Sequence, residues 1–190
     1  FPYADGVIAC SGTNIYFSQD GDSWLQINRA SVAGSGDNHT AFTGRSTLAR
    51  TNQGQVTFAV FESTFDYGLV LICDGANKPF FFRMEGTGSL TSRTFFAGEV
   101  TVSSTKAPTV GVIHDGHFVV SGADTADNTI YYSGTNDPTD FTSTGSGNIT
   151  LTDKVVGLSS FRNDLIIFCQ NRIFKLININ DSTNIAVVPI

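Results

Sequence analysis

Two histidines have the spacing closest to a metal-binding motif in this 190-residue sequence. His114 and His117 enclose Asp115-Gly116, and histidines at such a spacing can share a metal ion when a helix presents both. Asp-Gly, however, is a preferred dipeptide of two-residue hairpin turns. We therefore expect His114 and His117 to bracket a turn, and we predict no metal site and no cofactor.

The three cysteines favour a structural role. Cys10, Cys73 and Cys169 each lie in or beside an apolar run, and none forms a CxxC pair. Their odd number and wide spacing favour buried free thiols in strands over a disulfide scaffold or a zinc site.

The sequence contains no pattern typical of nucleophilic or acid–base catalysis. It has no GxSxG elbow, and Ser11-Gly12 and Ser121-Gly122 occupy matching positions of an internal repeat, which favours a structural role. The glutamates, Glu62, Glu85 and Glu99, are spread along the chain, so the sequence does not pair two of them across a cleft. We predict that the protein is not an enzyme.

Composition and charge narrow the class of protein. The chain has 19 Gly and 16 Phe, and all but three of its 17 acidic residues are Asp, a residue that favours turns over helix interiors. The net charge of -6 argues against tight binding of nucleic acid through phosphates. No apolar run approaches the ~20 residues of a membrane-spanning helix.

An internal repeat organises the chain. The strand-like segment DGVIACSG resembles DGHFVVSG, and the following NIYFS resembles TIYYS. The aligned ranges are Asp5–Gly12 on Asp115–Gly122 and Asn14–Ser18 on Thr129–Ser133. Trp24 then falls where Phe141 falls. Self-similarity at a fixed spacing, here about 110 residues, indicates a repeat architecture.

A turn motif closes each copy of the repeat. Ser18–Trp24, SQDGDSW, resembles the Asp-box SxDxGxTW of sialidase-like propellers, with one residue fewer between Asp and Gly. In such a turn the Asp accepts backbone N–H groups, the Gly takes a positive φ, and the aromatic packs beneath the hairpin. We predict these structural anchors, with both aromatics buried: Ser18, Asp20, Gly21 and Trp24 in the first copy, and Ser133, Asp137 and Phe141 in the second.

Short strands at about 8–12-residue spacing, with no convincing helix, predict an all-β sandwich, barrel or propeller. The repeat favours a β-propeller-like array of short antiparallel strands. At about 40–50 residues per blade the chain supplies about four blades. We divide it into residues 1–107, a first unit of about two blades, and residues 108–190, a second, truncated unit of about two blades. We expect it to be part of a larger chain.

Three further stretches give expectations of their own. LVLICDGANKPFFFRM (Leu69–Met84) weakly resembles LIIFCQNRIFKLI (Leu165–Ile177). Residues 29–54 are polar and predict a long loop with one short strand at most. The tail, Asn184–Ile190, is predicted to be a strand whose partner lies outside this chain.

The second copy of the repeat resembles a known family. Residues 108–177 are similar to the β-propeller region of the tail tube nozzle proteins of short-tailed bacteriophages, also called tail tubular protein B, hub or DNA-stabilisation proteins. The similar segments are HFVVSG, NTIYYSGTNDPTDF, LSSFRNDLIIF and RIFKL, together with the earlier LVLICDGANKP. Phe141 stands where that family usually has Trp.

The resemblance implies a structural virion protein of the phage tail or neck, without enzymatic activity. It would form part of a ring-shaped nozzle around the DNA exit path. Its implied partners are identical subunits, other tail or neck proteins, and passing DNA that is bound without sequence specificity; no membrane is involved. Two alternatives stay open: a carbohydrate-binding or sialidase-like propeller, suggested by the Asp-box-like turn, and a receptor-binding tail protein.

Overall fold

The computed structural model describes residues 1–27, 56–62, 67–89, 93–102, 107–122 and 127–190, and within these ranges the chain forms sixteen short strands and no helix. The strands lie in four sheets of four, each built from strands that are consecutive in the chain. All pairings are antiparallel, which confirms the predicted all-β, propeller-like fold. The loop predicted at 29–54 lies outside the described residues.

Each sheet is an up-and-down meander. The first sheet contains β1 (Pro2–Tyr3), β2 (Gly6–Ser11), β3 (Asn14–Ser18) and β4 (Leu25–Gln26). The second contains β5 (Thr57–Phe61), β6 (Leu69–Cys73), β7 (Phe80–Glu85) and β8 (Thr94–Glu99). The third contains β9 (Val110–His114), β10 (His117–Ser121), β11 (Thr129–Tyr132) and β12 (Gly147–Thr150). The fourth contains β13 (Val155–Phe161), β14 (Asp164–Cys169), β15 (Ile173–Ile177) and β16 (Ala186–Pro189).

The predicted boundary between residues 107 and 108 falls between the second and third sheets, so each proposed unit holds two sheets. The prediction for the tail was wrong in one respect. β16 finds its partner inside the chain, because it pairs with β15 through contacts such as Leu176 with Val187. The tail therefore completes the fourth sheet.

An aromatic core joins the first sheet to the second. Phe82 lies at its centre, with ring centroids 5.7 Å from Tyr3, 6.1 Å from Phe17 and 5.9 Å from Phe95. The buried residues of this core are Tyr3, Ile8, Ile15, Phe17 and Ile27 from the first sheet and its flank, and Val70, Ile72, Phe80, Phe82, Met84, Phe95 and Ala97 from the second. Aromatic burial of this kind holds the two sheets face to face.

Two further cores repeat this packing along the chain. The second core joins the second and third sheets through Ala59, Phe61, Leu69, Leu71, Cys73, Phe81, Val100 and Val102 on one side and Phe118 and Val120 on the other. The third core joins the third and fourth sheets through Val119, Ile130 and Leu151 on one side and Val155, Leu165, Ile167, Cys169, Phe174, Leu176 and Ile179 on the other. The sheets therefore stack in chain order, as propeller blades do.

The two inner sheets are covered on both faces. Every residue of β6 and of β10 is buried. The sequence of β6, LVLIC, is accordingly a continuous apolar run and not an alternating one. The polar ends of β10, His117 and Ser121, are buried with hydrogen-bond partners. Among the described residues, the first and fourth sheets are covered on one face only, because each contributes to a single core.

The second and third sheets approach closely near Gly111. A Cβ atom at this position would lie 2.7 Å from Cε2 of Phe118 and 3.0 Å from Sγ of Cys73, so no larger residue fits without movement. Backbone hydrogen bonding reinforces the contact, since the Gly75 N–H donates to the Pro108 carbonyl over 3.0 Å.

An ion pair ties the first sheet to the second at the edge of their core. The Arg93 guanidinium donates to both carboxylate oxygens of Asp5, which lies in the turn between β1 and β2, over 2.7 and 2.5 Å. Arg93 is buried, and it also donates to the Gly88 carbonyl. The hydrogen bonds from Arg93 lower the pKa of Asp5 to about 2.

The first core should contribute strongly to the stability of the fold. We expect Phe82→Ala to lower the free energy of unfolding by about 3–5 kcal/mol, because it leaves a cavity among three aromatic rings. Phe161 is exposed at the tip of the β13–β14 hairpin, so Phe161→Ala, the matched control, should cost less than about 1 kcal/mol. Urea unfolding followed by circular dichroism measures both, and equal losses would contradict the packing described here.

The Asp5–Arg93 pair should make stability depend on pH below about 4. Asp5 has a lower pKa in the folded chain than its ordinary value of 3.8, so protons bind the unfolded chain more strongly. Its contribution is complete above pH ~4 and is lost as pH falls towards 2. We expect Asp5→Asn to destabilise the chain at pH 7 by about 1 kcal/mol, a modest value because Asp5 is half exposed.

The same urea titrations at pH 7, 4 and 2.5 measure this dependence. The difference between Asp5→Asn and the wild type should shrink as the pH falls. A difference that is the same at all three pH values would show that the ion pair does not cause it.

Candidate functional site

The two histidines bracket a tight turn, as expected. His114 and His117 are paired residues of β9 and β10, and Asp115 and Gly116 between them have φ of 48° and 81°. These positive values are those of a type I′ hairpin turn.

Both imidazoles hold neighbouring segments together. His117 is fully buried, with Nδ1 2.6 Å from the Ser133 carbonyl oxygen and Nε2 2.9 Å from Oδ1 of Asn180. Asn180 in turn donates to the Asp115 carbonyl over 3.0 Å, which links the third sheet to the chain between β15 and β16. His114 Nδ1 lies 2.9 Å from Oγ of Ser160 in the fourth sheet, and burial lowers the pKa of His114. The two histidines therefore link the third sheet to the fourth sheet and its β15–β16 connection through hydrogen bonds.

The first set of predicted anchors forms one self-contained turn between β3 and β4. The Gly21 N–H donates to Oγ of Ser18 over 2.9 Å, and Oδ1 of Asp20 accepts from the N–H groups of Asp22 and Ser23 over 2.9 and 2.8 Å. These backbone donors lower the pKa of Asp20. Trp24 closes the turn, because its indole N–H donates to the Gly21 carbonyl over 2.9 Å.

The second set of anchors lies at the corresponding place, between β11 and β12. Oγ of Ser133 accepts from the Phe118 N–H over 2.9 Å, and Oδ1 of Asp137 accepts from the Thr139 N–H over 3.1 Å. The Phe141 ring packs edge-on against Phe118, with centroids 6.2 Å apart. Both sets therefore shape the connection from the third to the fourth strand of a sheet.

The expected burial of Trp24 was wrong. Its side chain is 45% exposed, whereas Phe141 is partly buried against the second core. Phe141 lies on the face of the third sheet that meets the second sheet. Trp24 lies on the face of the first sheet that no other described sheet covers, so it lacks the neighbour that Phe141 has.

The register of the repeat also needs correction. Ile8 of β2 pairs with Phe17 of β3, and Val119 of β10 pairs with Tyr132 of β11. Phe17 and Tyr132 are aligned with each other, and each lies on the sheet face that meets the next sheet along the chain. Their cross-strand partners therefore also correspond, so Ile8 matches Val119. The ungapped alignment set Ile8 against Phe118. A slip of one residue exchanges the two faces of a strand.

The weaker repeat contains the same slip. Its alignment sets Ile72 against Phe168, yet Ile72 is fully buried in the first core while Phe168 is 40% exposed. Phe168 pairs with Ile173, and the pair lies on the face of the fourth sheet that points away from the third. Its counterpart in the second sheet is the pair Leu71–Phe81, which meets the third sheet.

The two uncovered sheet faces are the candidate functional surfaces. The first-sheet outer face consists of Val7, Ala9, Ser11, Tyr16 and Trp24, four of which line a hollow of about 250 Å³. The fourth-sheet outer face consists of Ile166, Phe168, Ile173, Lys175 and Val188. Among the described residues, all large exposed hydrophobic side chains belong to the first or fourth sheet or lie beside them: Phe1, Val7, Trp24, Val156, Phe161, Phe168, Ile173, Val188 and Ile190.

Sequence reasoning did not identify these faces, although a signal was present. Residues 165–169, LIIFC, form a continuous apolar run of the kind that is buried on both faces. In the fourth sheet only alternate residues of that run, Leu165, Ile167 and Cys169, enter the third core.

The remaining predicted groups have ordinary environments. Cys73 and Cys169 are buried and form no disulfide, and burial raises the pKa of both thiols, whereas Cys10 is partly buried. A second cavity, of about 640 Å³, lies beside the β14–β15 turn and Ile190. Within the described ranges there is no cluster of three or more His, Cys, Asp or Glu arranged to hold a metal. The described part of the chain contains no helix long and apolar enough to cross a membrane.

Comparisons of the chain with protein families, with curated proteins and with solved structures found no match. The fold and its two uncovered faces therefore define the class, an all-β stack of propeller-like blades.

The two aromatic anchors should differ in their effect on stability. We expect Trp24→Ala to lower the free energy of unfolding by about 1 kcal/mol or less, since the side chain is half exposed and contributes mainly to its own turn. Phe141→Ala should cost about 2 kcal/mol, because it removes apolar contact with the second core. Urea unfolding at a protein concentration of about 1 µM measures both. A larger loss of stability for Trp24→Ala than for Phe141→Ala would show that Trp24 is buried, contrary to the structure.

Proposed function

We propose that this chain is a structural protein of the virion of a short-tailed bacteriophage. It is located in the tail or neck and forms part of a ring-shaped nozzle around the DNA exit path. Its role is mechanical and not enzymatic. The observation that most directly supports this proposal is the stack of four sheets with uncovered apolar faces at both ends.

The segments that resemble the nozzle family support this proposal through their positions. HFVVSG and NTIYYS supply β10 and β11, GNIT supplies β12, and LIIF and RIFKL lie in β14 and β15. They therefore supply strands and hairpins of the third and fourth sheets, as expected if the family shares this blade structure.

The negative charge of the chain favours a wall that lets DNA pass over one that binds it. Each phosphate that Lys or Arg neutralises adds salt-sensitive affinity, so a basic wall would hold the duplex. With a net charge of -6, subunits repeated around a ring would repel the duplex or contact it only weakly. Apolar burial between neighbouring proteins would have to offset the mutual repulsion of the subunits.

One observation favours a second candidate, a carbohydrate-binding propeller. Trp24 and Tyr16 expose aromatic surface beside a hollow of about 250 Å³, and a sugar ring could stack there. Only the ring faces would be available for such stacking, because the indole N–H already donates to the Gly21 carbonyl. Glycan-array binding that Trp24→Ala abolishes would support this candidate over the nozzle.

The nozzle proposal predicts where the chain lies in an intact particle. Electron microscopy of virions labelled on this chain should place it in the wall of the tail or neck, next to the DNA path. A position in an outward-pointing fibre or spike would contradict the proposal and favour a receptor-binding protein.

The same proposal predicts weak binding of DNA. The purified chain should bind duplex DNA with a Kd above about 10⁻⁴ M at physiological salt. Its affinity would then be lower than that of typical non-specific DNA-binding proteins. Asp22→Lys/Glu62→Lys is a matched variant that reverses two exposed charges and should bind more tightly. Micromolar binding by the wild type would contradict a non-adhesive wall.

A further inference from the structure

We propose that the fourth-sheet outer face of one copy of this chain packs on the first-sheet outer face of a second copy, head to tail. The contact would reproduce the packing of the second sheet on the third within one chain. The inference concerns how the propeller is completed, and it does not rest on the proposed role in a virion.

The first-sheet outer face is equivalent to the face of the third sheet that the second sheet covers. With the corrected register, Val7 corresponds to Phe118 and Ala9 to Val120, while Tyr16 aligns with Tyr131 and Trp24 with Phe141. In the third sheet these positions are all apolar or aromatic and belong to the second core or pack against it: Phe118, Val120, Tyr131 and Phe141. The first sheet therefore carries a face suited to a neighbouring blade.

The fourth-sheet outer face is equivalent to the face of the second sheet that meets the third. The pair Phe168–Ile173 takes the place of the cross-strand pair Leu71–Phe81. The adjacent pair Ile166–Lys175 takes the place of Leu69–Arg83, so an apolar residue faces a basic one in both sheets. Each copy thus has, on its two outer faces, the equivalents of the two faces that pack together between its second and third sheets.

Charge also favours contact between these two ends. Residues 1–27 contain three aspartates, Asp5, Asp20 and Asp22, and no Lys or Arg. Residues 155–190 contain three basic residues, Arg162, Arg172 and Lys175, and two aspartates. Asp5 is already paired with Arg93, and Lys175 with Asp164. The remaining charges are Asp20 and Asp22 beside the first sheet, and Arg162, Arg172 and Asp181 beside the fourth. These two sets attract one another, whereas contact between two first sheets would bring like charges together.

Blade number determines the expected assembly. A contact between different faces closes into a ring or propagates as a filament, and closed propellers typically have about 4–8 blades. The four described sheets do not close by themselves, because large hydrophobic side chains of the first-sheet and fourth-sheet outer faces remain exposed. Two copies of these four sheets would give an eight-bladed ring with two identical interfaces.

Sedimentation equilibrium of the 190-residue chain tests the assembly. We expect the mass of two copies at a protein concentration of tens of micromolar. A chain that stays monomeric up to about 100 µM would overturn the proposal and would favour a different occupant of both faces.

Two variants distinguish the head-to-tail contact from others. Phe168→Glu and Val7→Glu each place a charge on one outer face at an exposed residue. Each variant alone should dimerise at least about tenfold more weakly than the wild type, because both interfaces of its dimer carry the charge. Asn148→Glu adds the same charge at an exposed residue of the third sheet and should leave dimerisation unchanged. Circular dichroism and urea midpoints check that all three fold.

Mixing the two variants gives the most specific result. In a mixed dimer one interface joins the intact fourth sheet of Val7→Glu to the intact first sheet of Phe168→Glu. We therefore expect the mixture to form more dimer than either variant alone. Normal dimerisation of Val7→Glu by itself would indicate contact between two fourth sheets and would overturn the proposal, as would a mixture that stays monomeric.

Discussion

Burial of apolar sheet faces against one another is the interaction on which this structure depends. Each meander of four short strands has an apolar face that must be buried against another element. Each sheet therefore requires a neighbour, and three cores supply that neighbour along the chain. The abundance of Phe serves this purpose, since Phe17, Phe82 and Phe95 fill the first core and Phe81 and Phe118 the second.

The same dependence explains the ends of the stack. Within the described ranges, both faces of an inner sheet are covered, whereas the first and fourth sheets leave one apolar face exposed. Exposed apolar patches of this kind are typical of surfaces that bind other proteins. A structural role, in which the chain acts through its contacts, agrees with this distribution, because the concentrated apolar surface lies at the two ends.

Polar groups orient the stack in two ways. Aspartates in the strand connections accept hydrogen bonds from their own turns, and these bonds lower their pKa. Backbone N–H groups do so for Asp20. The Thr142 and Asn184 side chains, followed by backbone N–H groups, do so for Asp140 and Asp181. A short carboxylate reaches its own backbone where a longer one does not, which accounts for the preference for Asp over Glu. Between sheets, the Arg93–Asp5 pair and the His117–Asn180 contact link neighbouring blades outside the apolar cores.

Local chemistry in the sequence determined the strands, the Asp115-Gly116 hairpin and the Asp20 turn, because these depend on residues close to one another in the chain. The fold class also followed from the sequence, since short strands and a repeat have few architectures open to them. Tertiary structure alone decided which face each strand presents and therefore whether Trp24 is buried. A face depends on pairing register, and its burial depends on a sheet formed by a distant part of the chain. Trp24 and Phe141 occupy similar turns and differ only because the second sheet covers one and no described sheet covers the other.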